Sequence, residues 1–130
     1  MKRTLLAILL FAAALPSQAA TVTSYGAGCG GMTLTVSPPA LGTNVRAWAQ
    51  SPRNNDRFVG FGLGKAHIAL GGGCVLLVNA SWVKIATLDG PVTLFLLPND
   101  PTLIGLRFYV QAADNTGMEW SRGLEATIGR

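Results

Sequence analysis

Apolar and polar residues alternate along most of this chain with a period of two, the spacing of a half-buried β-strand and not of a helix. Residues 32–37 alternate throughout and stop at Pro38-Pro39, which cannot donate to a sheet ladder. Over residues 44–50, Val45, Ala47 and Ala49 point one way, and Arg46, Trp48 and Gln50 the other. Residues 105–113 put Leu106, Phe108, Val110 and Ala112 inward and Arg107, Tyr109 and Gln111 outward. Further strands are expected over residues 58–63, 66–70, 74–78, 82–88 and 92–97, with residues 119–128 closing the domain. The run 74–78 is wholly apolar, as expected of a strand in a sandwich core.

Turn signals separate these runs. The polar stretch 51–56, Gly71-Gly72-Gly73, Pro98-Asn99-Asp100-Pro101 and Asp114-Asn115-Thr116-Gly117 all read as loops. Asp89-Gly90, between two strand candidates, is a hairpin signal. About eight strands at roughly ten-residue spacing, with no amphipathic helix, predict an all-β fold. The expected architecture is a single antiparallel β-sandwich, immunoglobulin-like or jelly-roll-like. Parallel βαβ architecture is excluded because the crossover helices are missing.

The N-terminus reads differently. Lys2 and Arg3 precede an eleven-residue apolar run, and Ser17-Gln18-Ala19 supplies small residues at a cleavage site. Eleven helical residues rise about 16 Å, roughly half the hydrocarbon thickness of a bilayer. Residues 1–19 are therefore expected to be a signal peptide, and residues 20–130 a secreted domain without a membrane span. The expected address is periplasmic or extracellular.

Composition supports a packed domain: 49% of residues are hydrophobic and only 12% are charged. That balance excludes a disordered, highly charged chain. Sixteen Gly and seven Pro disfavour a helical bundle. Removing Lys2 and Arg3 lowers the formal charge from +4 to +2, with the remaining cations scattered singly. Nucleic-acid binding, which needs a clustered basic surface, is not expected.

Cys29 and Cys74 are the only cysteines. In an exported chain the default is a disulfide, the other reading being two buried free thiols. Closing a loop of about 45 residues constrains the unfolded chain by about 4 kcal/mol on the chain-entropy model.

Three stretches carry a family resemblance: Tyr25-Gly26-Ala27-Gly28-Cys29, the segment Pro98-Asn99-Asp100-Pro101-Thr102-Leu103-Ile104-Gly105-Leu106-Arg107-Phe108-Tyr109-Val110-Gln111, and Ser121-Arg122-Gly123-Leu124-Glu125-Ala126-Thr127-Ile128-Gly129. Together they resemble a family of functionally uncharacterised secreted bacterial domains. The resemblance implies a β-sandwich and an extracytoplasmic address, and transfers no catalytic residue.

Candidate chemistry is sparse. Gly26-x-Gly28-x-x-Gly31 matches the dinucleotide fingerprint literally, but a β-alternating segment follows where a helix N-terminus is required, so no cofactor is expected. His67 is the only histidine, and no serine stands in a nucleophile-elbow context. One histidine, two paired cysteines and dispersed carboxylates make no metal set. Glu119 and Glu125 share parity on the last expected strand, but six residues of extended chain separate them by about 20 Å, too far for glycosidase chemistry.

The best binding signal is aromatic. Trp48 is flanked on its own face by Arg46 and Gln50, and Tyr109 by Arg107 and Gln111. Exposed rings beside such polar partners suit a sugar-stacking platform or a protein hot spot. Trp48, Arg46, Tyr109, Arg107 and Gln111 are the candidate ligand-binding residues. Trp82 and Trp120 open their strands and are expected at one sandwich end. The expected function is a small, non-catalytic interaction or adhesion module, with carbohydrate or a cell-surface protein as ligand. The alternative is a self-associating structural subunit of the envelope or matrix, joined through strand edges. An enzyme or an enzyme inhibitor is the third class.

Overall fold

A computed structural model describes residues 18–86 and 90–130. All of the expected leader but its last two residues, together with Thr87 and Leu88 of the expected strand and Asp89 of the expected turn, lies outside them. Ten strands follow one another: β1 (Thr21–Tyr25), β2 (Thr33–Val36), β3 (Asn44–Gln50), β4 (Arg57–Gly62), β5 (Gly64–Gly71), β6 (Cys74–Asn79), β7 (Trp82–Ala86), β8 (Val92–Leu96), β9 (Arg107–Asp114) and β10 (Gly123–Thr127). The only helical element among the described residues is a 3-10 turn, Pro101–Leu103. Asp100 caps it, accepting from the Thr102 N–H at 3.0 Å and the Thr102 hydroxyl at 2.8 Å.

The strands form a five-stranded sheet in the order β1-β10-β9-β4-β7, a three-stranded sheet β2-β3-β8 and a two-stranded hairpin β5-β6. Every pairing between them is antiparallel. The two larger sheets face each other across one core. Val45 and Ala47 of β3 meet Val59 of β4, Val110 and Ala112 of β9 and Ala126 of β10, all fully buried. The period-two pattern produces this directly, because alternate side chains of each strand leave water together. The fold is the expected all-β, sandwich-like one.

Five expectations change. Strand β1, Thr21–Tyr25, pairs along β10 although its residues drew no strand expectation. The apolar run in β6 is not in a core sheet but in the hairpin, which lies on the outer face of the five-stranded sheet. The strands flanking Asp89-Gly90 are not partners: β7 pairs with β4, and β8 with β3. Each inward row is already matched within its own sheet, Trp82 by Phe61 and Phe95 by Val45, so the chain crosses from one sheet to the other. Finally, the last strand begins at Gly123, which leaves Glu119 in the preceding connection, and Leu106 is exposed (44%) just ahead of β9 instead of facing inward.

The hairpin is tied down by sulfur. Cys29 and Cys74 form a disulfide with a Cα–Cα distance of 5.2 Å. Its anchor is the segment after β1, where Cys29 and Trp120 exchange backbone hydrogen bonds at 2.8 and 3.1 Å. Gly28 permits that approach, since a β-carbon there would sit 2.8 Å from the Trp120 carbonyl. At the far end of the hairpin, Gly71, Gly72 and Gly73 all have positive φ, which glycine adopts without strain.

Candidate functional site

The residues expected to bind a ligand do not form one patch. Trp48, 37% exposed, projects with Arg46 from the outer face of the three-stranded sheet, opposite Thr35 of β2. Tyr109 and Arg107 alternate with buried Phe108 and Val110, so they project from the outer face of the five-stranded sheet. The two groups therefore stand on opposite faces of the sandwich. Trp82 and Trp120 are also apart: Trp82 stacks on Phe61 at 5.5 Å, whereas Trp120 bridges Cys29 and Ala113.

Gln111 lies on the outer face, as its parity requires, but the hairpin covers it and leaves it 4% exposed. Its amide oxygen accepts from the Leu77 N–H at 2.9 Å. Both amide hydrogens are donated, to the Val75 carbonyl at 2.9 Å and the Ser121 carbonyl at 3.0 Å. The expectation that it faces a ligand is corrected: Gln111 fastens β6 to the sheet. Parity places a residue on a face, but what later packs over that face is a tertiary matter.

Tyr109 is similarly occupied. Its ring meets Tyr25 edge-on at 6.1 Å, and the Lys65 ammonium of β5 lies 4.7 Å from the Tyr25 ring centre and 5.5 Å from that of Tyr109. Glu125 completes the cluster, 3.7 Å from Lys65 and 4.0 Å from Arg107. The Tyr25 hydroxyl donates to the Leu77 carbonyl at 2.7 Å. Burial, then Tyr109 and the Glu125 carboxylate, push its phenol up to about 12. His67 is exposed on β5.

The hairpin covers only part of the outer face. Over β4 and β7 that face stays open, and it is apolar: Phe58, Val83 (61% exposed) and Ile85 (69% exposed) project from it. Beside them runs a groove of about 440 Å³, with Gly60 and Ala113 in its floor, Leu76 and Val78 of the hairpin along one wall and Trp120 at its end.

A second cavity opens between the sheets, where β7 and β8 are not hydrogen-bonded. Its volume is about 380 Å³. A bulge on β8 shapes it: Val45 pairs with Phe95 and Arg46 with Thr93, leaving Leu94 as the extra residue. The bulge turns both Leu94 and Phe95 toward the core. Phe95 then lies 5.7 Å from Phe61 and 5.2 Å from Phe108, completing an aromatic row from Trp82 through the cavity wall. Sequence alternation alone does not reveal this cavity, because a bulge breaks the period that the reading relies on.

The opposite end of the sandwich is polar and buried. Glu119, 1% exposed, accepts from the Ser51 hydroxyl, with Arg53 3.9 Å away. Buried Arg57 donates to the carbonyls of Ala49 at 2.7 Å and Asn55 at 3.1 Å. Asp114 accepts from Asn55, Thr116 and the Glu119 N–H. Burial opposes its ionisation, but these hydrogen bonds outweigh that and hold its carboxyl below the usual range. Glu119 and Glu125 share no cleft, one buried in this end and the other on the outer face. Among the described residues no cluster of three His, Cys, Asp or Glu side chains stands ready for a metal ion.

The disulfide is consistent with a location outside the cytoplasm. No described helix is long and apolar enough to cross a membrane. Compared with protein-family models, with curated proteins and with solved structures, the chain matches none, so its functional reading rests on the surfaces above.

Proposed function

We propose that this domain is an exported, non-catalytic interaction module whose partner is a protein docking on the open outer face of β4 and β7. The supporting observation is the contiguous exposure of Phe58, Val83 and Ile85 beside an apolar groove. Exposed apolar patches of this kind mark interaction sites more often than chance surface composition does. The sulfur link and the leader-like N-terminus support the exported address.

Ile85→Glu tests the reading, because so exposed a residue can change without disturbing the core. The variant should fold with unchanged stability and lose the partner. Cross-linking the disulfide-intact protein to envelope fractions identifies that partner, and direct titration with the purified partner confirms it. Equal titration curves for the wild type and Ile85→Glu overturn the proposal.

A second reading, self-association, is favoured by the open edge of β7, which no other described strand covers. Sedimentation equilibrium over a hundredfold concentration range separates the two: a monomer throughout leaves only the heterologous partner. A glycan reading rests on Trp48 with Arg46 and Gln50, and glycan binding abolished by Trp48→Ala would support it.

A further inference from the structure

We propose that the cleft between the two sheets is a binding site for a single-chain aliphatic carboxylate. Its walls are built from Phe61, Trp82, Leu94, Phe95 and Phe108, and among the described residues the only charged side chain lining it is Lys84. Its volume, about 380 Å³, sits at the lower end of the range of small-molecule pockets.

Lys84 is the residue that commits the ligand's chemistry. On β7 it alternates with Val83 and Ile85, and its cross-strand partner is core residue Val59, so it occupies the inward row with Trp82. Among the described residues it has no ion-pair partner. A solvent-exposed lysine lining an otherwise apolar cleft complements one anionic head on an apolar tail. A sugar or a peptide backbone would leave its hydroxyls or amides unpartnered against these walls. A carboxylate at Lys84 keeps its charge near water and its chain among the aromatic rings. The site goes beyond the protein-docking face, which presents the opposite row of β7.

The test is calorimetric titration of the disulfide-intact chain with octanoate, decanoate and dodecanoate below their micelle concentrations, alongside decanol and decylphosphocholine. The expected result is one site per chain, with affinity rising about fourfold per methylene until the cleft is full. Decanoate should bind roughly tenfold tighter than decanol, and Lys84→Met should abolish that preference while leaving decanol binding unchanged. Ile85→Glu should bind decanoate like the wild type, which keeps this site distinct from the docking face. The proposal is overturned by any of three results: no saturable decanoate binding, affinity independent of chain length, or a Lys84→Met variant with the wild-type preference. Decylphosphocholine binding as tightly as decanoate overturns the carboxylate assignment.

Discussion

The Gln111 side-chain oxygen accepts the Leu77 backbone N–H at 2.9 Å, while its amide donates to Val75, so one glutamine stands in for a neighbouring strand along β6. Without it the outer edge of the hairpin would bury unpaired backbone groups. Gln111→Leu keeps the volume but offers no hydrogen bond, and should lower stability by about 3 kcal/mol. Limited proteolysis at Gly71–Gly73 should accelerate in parallel, because the hairpin loses its main attachment to β9. An unchanged denaturation midpoint would contradict this role.

Removing the disulfide through Cys29→Ser with Cys74→Ser should cost about 4 kcal/mol, since the bridge closes a 45-residue separation. Hydrogen exchange should show faster opening of β5 and β6 than of β9 and β10, whose packing does not depend on the bridge.

Acid should destabilise the domain partly through Asp114. Its carboxyl is held below the usual range in the folded state, so its contribution is complete above the unfolded value near pH 3.9 and is lost as pH falls through the folded one. Asp114→Asn should be less stable than the wild type at pH 7 and show a flatter decline below about pH 4. Urea titrations at several pH values measure both effects.

At the alkaline end Tyr25 gives the opposite sign. Its folded value of about 12 exceeds the usual 10, so the stability it adds is present below pH 10 and lost between those values. Tyrosinate absorbance should show one group ionising near pH 12, and this step should vanish in Tyr25→Phe. That variant also loses the hydrogen bond to Leu77, at a cost of about 1 kcal/mol.

The buried pair Ser51 and Glu119 should be energetically coupled. Ser51→Ala leaves the Glu119 carboxylate without its hydroxyl donor and should cost about 2–3 kcal/mol. In a Ser51→Ala, Glu119→Gln double variant the two losses should sum to more than the observed effect, because the uncompensated charge is gone. Strict additivity in the cycle would show that the contact is incidental.

How much of this was legible in the sequence can be seen residue by residue. Strand β3 was readable in full, because Val45, Ala47 and Ala49 alternate with Arg46, Trp48 and Gln50 on a strand with one buried and one open face. The disulfide was readable because two lone cysteines behind a leader-like N-terminus are expected to pair. Strand β1 was not, since Thr21–Tyr25 carries only one aliphatic residue and is held by pairing with β10. Sheet membership also escaped: the apolar run of β6 looks like core whether it packs between sheets or on top of one. Gln111 failed because parity assigns a face and not its neighbours, and Leu106 because it stands just ahead of β9, where the alternation has not begun. The cleft depends on the Leu94 bulge, a one-residue slip that alternation treats as noise.

The hairpin is fastened to its sheet by two kinds of link: side-chain amides and phenols that engage as soon as the chain folds, and a thiol couple that closes only where electrons can be removed. A copy folded under reducing conditions would keep the first and lack the second, and its flap would lift more often from Gln111 and the sheet beneath. Oxidation of the cysteine pair thus acts as a finishing step that fixes which half of the outer face of the sheet remains on display.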